Sequence, residues 1–527
     1  MAPVYIPPEI IYKIFEQCRS STTLRSMALA SRMFYDIFLT VRWRSVDDMR
    51  RILVALCRGS DFTYNPTKDD WQYFIATYAS RIRHLTIEPT SNITIADCEK
   101  LVFVLQTFND CNRPILPNLQ SITFVKIHSQ TSRTALAASL LLIGAILQSP
   151  SVTKFHFYET HDGLCKHGAS AYLILRYLTA AVSRLPLLKD VSIRLPGLKS
   201  LSETESRTLS ELFSVLPKTM TRLSLSAFTK GDVILDQIQH LDNLEYLSQI
   251  DGLGESLSQP GLLESMTALH TLGLVCSLSG AIEFTSWSSG WRLTALLLVV
   301  ETPIATTSKQ TLAPASLARI FDGVAKNFPN LSALDVRLVG SRDNSKTSPA
   351  ANTHHNSRTT VLAFEHLSCL SSLVKMVSFQ LLFLERAAKA EVSLDNDELR
   401  KLVSQWPRLE ALGITRPGPR ETGCYEKRNT KKYLDLRALH VLAQYCPRLR
   451  ALKLDGTSGV KTDGFIFAGP DDKPGYAVPN LRFLDYRKCE LGLGDEVLSI
   501  RDVFQRGVIE DVEYHTRETS EVEDENV

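Results

Sequence analysis

One phrase recurs through most of this chain and limits what it can fold into. It reads as an apolar residue, two variable ones, an apolar residue, one variable and one apolar. Clear copies are "LPNLQSITF", "LPLLKDVSI", "MTALHTLGL", "FPNLSALDV", "WPRLEALGI", "CPRLRALKL" and "VPNLRFLDY"; weaker copies start at Val152, Met220, Leu244, Leu293 and Leu373. The first apolar residues fall at 82, 119, 152, 188, 220, 244, 269, 293, 331, 373, 409, 449 and 481. Such alternation makes a short strand whose inward side chains, for example Leu412 and Ile414, are apolar while Ala411, Gly413 and Thr415 point outward. Between strands lie segments such as 315–328 and 436–446, with apolar residues three and four apart, which predict amphipathic helices. The proline or polar pair before each strand ends the preceding helix.

A unit of helix, turn and strand cannot bury its apolar face alone, so neighbours must stack, with the strands in one parallel sheet and the helices outside it. An ordinary α/β domain also alternates strands with helices, but its buried strands are apolar on both faces, whereas most strands here carry polar residues outward. On the quoted phrases, residues 81–490 resemble the leucine-rich-repeat family. The resemblance implies an α/β solenoid, a horseshoe of parallel strands inside and helices outside, with about 13 irregular repeats. The starts at 220, 244, 269 and 293 are spaced by 24, 25 and 24 residues, as in that family. The other intervals, 32 to 42, imply longer convex helices or insertions, and the Asn or Cys the family carries after its strand is mostly missing.

The N-terminal segment 6–46 is a different kind of object. Ile10, Ile11, Ile14, Phe15 and Cys18 predict one apolar helix face behind a proline head; a second helix carries Leu24, Met27, Ala28 and Ser31, and a third Phe34, Ile37, Phe38 and Val41, closed by Trp43. Three such helices are marginal as an independent core, so their surplus apolar surface needs a partner. The segment resembles the F-box. That family's opening Leu-Pro-x-Glu-Ile appears as Ile6, Pro7, Pro8, Glu9 and Ile10, and its Ile-Phe as Ile14 and Phe15. Its later Leu is Leu24, its Val-Ser-Lys/Arg-x-Trp/Phe is Ala30 to Phe34, and its closing Trp-Arg is Trp43 and Arg44; Ile6 and Ala30 depart from the usual Leu and Val.

The resemblance implies a helical module over 1–47, followed by linker helices over 48–80. It implies that Ile6, Pro7, Glu9, Ile10, Ile14, Phe15, Leu24, Phe34 and Trp43 bind a Skp-family adaptor and, through it, a cullin scaffold. The chain would then be the substrate-recognition subunit of a Skp-cullin-F-box ubiquitin ligase. The alternative is a repeat scaffold without a role in ubiquitylation, its first helices only shielding the array's open end.

A protein substrate would meet the outward strand positions on the concave face. These offer Lys154, His156, Tyr158 and Arg194 early, and Asp335, Arg337, Lys453, Asp455, Phe483 and Arg487 late. Between them Ile250, Val275, Leu297 and Val299 make an apolar centre, and "LTALLLVVE" is apolar on both faces. This reads either as a hydrophobic anchor with charged flanks or as a surface that an insertion or the C-terminal segment covers.

Other classes find little support. A formal charge of +2 gives no global attraction to nucleic acid or anionic membrane. Ten cysteines without a C-x-x-C pair read as reduced thiols of an intracellular protein, cytoplasmic or nuclear. Glu9, Lys13 and Glu16 interrupt any signal peptide, and the apolar run 135–147 is 13 residues, short of the about 20 a bilayer span needs, so it reads as a buried helix. There is no phosphate-binding loop, G-x-S-x-G or H-E-x-x-H, so no enzyme, cofactor or metal is expected. His156, His161, Asp162, Cys165 and His167 are zinc-ligand types at no recognised spacing. Residues 341–360 read as a mobile insertion, 416–437 as a basic solvated loop, and 491–527 as a C-terminal segment whose tail from Glu510, with eight acids against one Arg, is expected to be disordered.

Overall fold

The computed structural model describes residues 6–57 apart from Arg19, then 66–87, 103, 107, 114–125, 149–158, 171–194, 203–226, 237–250, 266–287, 292–302, 314–340, 360–383, 390–415, 437–455, 483–487 and 511–512. They form two compact units, Met1–Asp251 and Gly252–Val527.

The first unit begins with α1 (Pro8–Gln17), α2 (Ser21–Ala28) and α3 (Arg32–Arg44). Pro8 takes the first turn of α1, where its missing N–H has no helical partner. The side chains of Ser20 and Ser31 cap α2 and α3 by accepting from the amides of Thr23 and Phe34 at 3.3 and 3.1 Å. Phe15 is fully buried and meets Phe34 edge-on, ring centres 5.8 Å apart.

Directly after α3, β1 (Ser45–Val46) pairs in parallel with β2 (His84–Ile87). Between them lie α4 (Met49–Leu56), α5 (Lys68–Thr77) and a 3-10 turn at Ala79–Arg81. The helices over 48–80 thus lie between two paired parallel strands, as the helices between later strands of the array do. The sheet continues through β3 (Ser121–Val125), β4 (Lys154–Tyr158), β5 (Asp190–Arg194), β6 (Arg222–Ser226) and β7 (Tyr246–Ile250), with α6 (Ala171–Val182) before β5 and α7 (Glu203–Ser214) before β6. Each strand pairs in parallel with the next in sequence.

The second unit repeats the scheme with β8 (Thr271–Ser277), α8 (Leu278–Ser286), β9 (Ala295–Thr302), α9 (Pro314–Asn327) and β10 (Ala333–Gly340). Next come β11 (Thr360–Ala363), α10 (Phe364–Leu367), β12 (Ser378–Phe383), β13 (Ala390–Ser393), α11 (Asn396–Val403), β14 (Ala411–Thr415), α12 (Arg437–Tyr445), β15 (Ala451–Asp455), β16 (Phe483–Arg487) and β17 (Asp511–Val512). The parallel sheet runs β8, β9, β10, β12, β14, β15, β16, β17, while β11 and β13 pair separately. This side pair was not expected from the sequence. Nor was β17: part of the acidic tail adds to the strand at Phe483–Leu484, because the unpaired N–H and C=O groups of a sheet edge accept almost any sequence.

Three buried columns hold the repeats together. One closes the segment before each strand, as Leu185, Phe328, Trp406 and Cys446 do; one precedes the strand by two residues, as Leu188, Leu331 and Leu409 do; one lies within the strands, as Val191, Leu334 and Leu412 do. All are at most 2% exposed, and each such Leu or Phe stabilises by about 1.5–3 kcal/mol. Met376, not Leu373, holds the second column before β12; Leu373 belongs to the first, and the two apolar columns three residues apart account for the misreading.

Polar side chains stitch one turn to the one before. Asn118 Nδ2 donates to the Ser80 carbonyl at 2.7 Å, Asn243 Nδ2 to Lys218 at 3.0 Å and Ser332 Oγ to Thr294 at 2.9 Å. In the outer layer, Gly323 lets α9 approach α8: a Cβ there would lie 2.5 Å from the Thr285 carbonyl oxygen. In each unit, parallel strands with helices between them and shared apolar columns define an α/β solenoid of the leucine-rich-repeat type. The apolar run 135–147 lies outside the described residues.

Candidate functional site

Among the described residues, two surfaces present side chains outside the buried columns. The first is on the N-terminal helices. Helix α1 is apolar on both sides: Ile11 and Phe15 are buried, whereas Ile10 and Ile14 are each 47% exposed, and Ile6, just ahead of the helix, is 46% exposed. Leu29 and Met33 are also exposed. A shallow pocket of about 450 Å³ lies between α1 and α3, lined by Pro8, Tyr12, Arg32, Met33, Asp36, Ile37 and Thr40.

Of the residues expected to meet an adaptor, Ile6, Pro7, Glu9, Ile10 and Ile14 are exposed, and Leu24, Phe34 and Trp43 half-buried. Phe15 is wholly buried, so it stands behind this face rather than on it. Trp43 packs towards the first repeat, its ring 4.5 Å from Tyr78 and 6.5 Å from Phe74. Arg81 fastens the same junction, donating from Nη1 to Thr40 Oγ1 at 2.6 Å and to the Asp36 carbonyl at 2.9 Å.

The second surface is the sheet face opposite the buried columns. In the first unit, strand register aligns outward residues in rows across the strands. One row is His84, Ser121, Lys154, Asp190, Arg222 and Tyr246. Two residues along it is Thr86, Thr123, His156, Ser192, Ser224 and Ser248. Two further along come Val125, Tyr158 and Arg194.

The rows are internally bonded. His84 Nδ1 lies 2.8 Å from Ser121 Oγ, Ser248 Oγ donates to Ser224 Oγ at 3.0 Å, and the Arg222 guanidinium sits 4.6 Å from the Tyr246 ring centre. His156 Nε2 is 3.5 Å from Asp190 Oδ1. Burial acts to raise the Asp190 carboxyl, but the hydrogen bond and charge of His156, with Arg222 and Lys154, outweigh it and hold the group below the ordinary carboxylate range. Burial, then Arg44, Lys154 and Arg83, push the His84 imidazole below its usual value.

The second unit's open face is of another character. Val275, Leu297 and Val299 are half-buried, and next to them on β10 Arg337 grips Asp335, Nη2 to Oδ2 at 2.7 Å and Nε to the same oxygen at 3.1 Å. The Asp335 hydrogen bonds raise the guanidinium above its ordinary value against the opposing effect of burial. Lys453 continues the face on β15. Ile250, Asp455, Phe483 and Arg487 lie within strands, but their side chains fall outside the described residues.

Sequence reading found Lys154, His156, Tyr158 and Arg194 but passed over Arg222, Ser224, Tyr246 and Ser248. Their signal was available: aligning the copies on their buried columns places these residues in the same rows. Among the described residues no three His, Cys, Asp or Glu side chains form a metal-binding group, and His161, Asp162, Cys165 and His167 lie outside them. No helix among the described residues is long and apolar enough to cross a membrane. The Cys276 and Cys446 thiols are pushed up to about 12 by burial, with Glu301 adding to the effect at Cys276, so both are held neutral inside the core.

No family model matches the chain, and no curated protein matches it. Among solved structures it is similar to the leucine-rich-repeat-containing protein LegL7 from Legionella pneumophila, at 12% identity over 64% of this chain and 94% of that one, with a TM-score of 0.34. It is also similar to the complex of Rad7 and Elc1 in yeast, at 12% identity over 92% of this chain and 100% of that one, with a TM-score of 0.39. The fold class stands on the strand order and buried columns described above.

Proposed function

We propose that this chain is the substrate-recognition subunit of a cullin-RING ubiquitin ligase, its N-terminal helices holding a Skp-family adaptor and its repeats a protein to be ubiquitylated. The observation that carries the reading is the exposed stripe of Ile6, Ile10 and Ile14 on a module whose sequence resembles an F-box. Two large aliphatic side chains on one face of α1, with a third just ahead of it, are costly to leave in water, and an apolar groove on a partner would relieve that cost. The chain would carry out no bond chemistry. Its contribution would be to raise the effective concentration of substrate lysines beside the ubiquitin-loaded enzyme.

Trp43 and Arg81 favour a second reading, in which the helices only cap the repeat array. The two differ on the stripe, which capping leaves idle. Ile10→Asp combined with Ile14→Asp should fold normally, since both side chains are exposed, and should lose a co-purifying Skp-family adaptor. Undiminished adaptor in the double variant, or none with the wild type, would leave the capping reading.

A further inference from the structure

The open face of the first unit has a shape and a charge that the ligase reading does not require. The row from Thr86 to Ser248 consists of short hydroxyl side chains apart from His156, and Ser192 and Ser248 are only 8% and 3% exposed. One side of it carries His84 and Ser121, then the long Lys154, Asp190, Arg222 and Tyr246, and the other carries Val125, then the long Tyr158 and Arg194. The short Ser192, Ser224 and Ser248 beside Asp190, Arg222 and Tyr246 make a trough that is walled along one side from β4 to β7 and on both sides at β4 and β5. Four strands about 4.8 Å apart give the long wall a length of about 14 Å, and four residues of strand rise set Tyr158 and Arg194 about 13 Å across from it. A single extended backbone fits that width. An α-helix, about 10–12 Å across with its side chains, does not fit between walls that themselves carry Arg and Tyr.

Charge selects among extended segments. The outward, described side chains of β2 to β6 include three exposed cations, Lys154, Arg194 and Arg222, against one carboxylate, Asp190, which His156 already engages. The cations do not converge. Lys154 and Arg222 lie two strands apart, about 10 Å, and Arg194 is on the opposite wall. Convergent arginines suit one phosphoryl dianion, whereas separated cations suit carboxylates spread along a peptide.

We propose that this trough binds an extended, Asp- and Glu-rich segment of a partner protein, the backbone lying on the hydroxyl row and the carboxylates reaching Lys154, Arg194 and Arg222. This rests on the reading of the repeats as the substrate-holding part and names the chemistry of what they hold.

The test uses the full chain and a fluorescent (Glu-Asp)5 peptide, with (Ser-Gly)5 and a single-stranded oligonucleotide as competitors. The wild type should bind (Glu-Asp)5, and binding should weaken as salt rises. Lys154→Glu with Arg194→Glu should weaken it by about tenfold or more, since two attractive exposed charges become repulsive. Arg448→Glu, an exposed turn position in the second unit, should leave it unchanged. Equal loss in both variants, no preference over (Ser-Gly)5, or stronger competition by the oligonucleotide overturns the proposal. Adaptor capture is measured on the same samples. A trough variant that loses the peptide should keep the adaptor, so failure here with adaptor retained leaves the ligase reading standing, and peptide binding without adaptor overturns that reading alone.

Discussion

The two repeat units are built on the same buried columns yet present different open faces. In the first, the middle row is hydroxyls and a histidine, walled by separated cations; in the second, Val275, Leu297 and Val299 lie beside the closed Asp335–Arg337 pair. Inward positions vary only among apolar side chains of similar reach, because each must meet the same column in the repeats on either side. Outward positions carry no such constraint and are free to differ between the units. The two faces therefore differ in chemistry although the columns behind them are alike.

The sharpest way to break this division is to place the same change on either side of one strand. Leu298 is fully buried and Leu297 faces out. Leu298→Ala should cost about 2–5 kcal/mol, and Leu297→Ala about 1 kcal/mol or less, in denaturant unfolding. Similar costs would show that the second open face is itself part of a core.

A smaller effect of the same kind separates two glycines. Gly323→Ala forces a Cβ against the Thr285 carbonyl and should destabilise by about 1–3 kcal/mol. At Gly413, on the open face, the new Cβ would meet only the Gln380 and Leu382 side chains, at 3.4 and 3.6 Å, and thermal melting should barely change. Asn327, whose Nδ2 donates to that same Thr285 carbonyl at 2.7 Å, should couple to Gly323 in a double-mutant cycle.

The smallest expected effect is of pH, and it belongs to the first unit. A His84 pKa held below its ordinary value contributes stability above the unfolded histidine range, lost as pH falls through the folded value. Asp190, also lowered, adds a loss at still more acid pH. Melting temperature should drop between pH 7 and pH 5 in the wild type and drop less in His84→Gln.

Much of this was legible in the sequence, because a buried column must be apolar in every repeat. The strand starts follow from that phrase, and the single misplaced copy, Leu373 for Met376, arose where two columns offer equally apolar residues. Ser45–Val46 escaped notice because two residues cannot display alternation, and β11 with β13 because they lie outside the repeating phrase. On α1 the sequence named the apolar residues without sorting them into buried and exposed. A helix apolar on both sides does not say whether Phe15 or Ile14 faces in, and only packing against Phe34 decides it. The hydroxyl row needed register, a relation between strands some 24 to 37 residues apart.

The central claim is that the Ile6, Ile10 and Ile14 stripe holds an adaptor while the repeats act independently of it. Calorimetric titration of a purified Skp-family adaptor into the full chain tests it most directly. The wild type and the Lys154→Glu, Arg194→Glu variant should bind with the same affinity, and the Ile10→Asp, Ile14→Asp variant should show no binding heat. Equal binding by all three, or no heat with the wild type, would contradict the account.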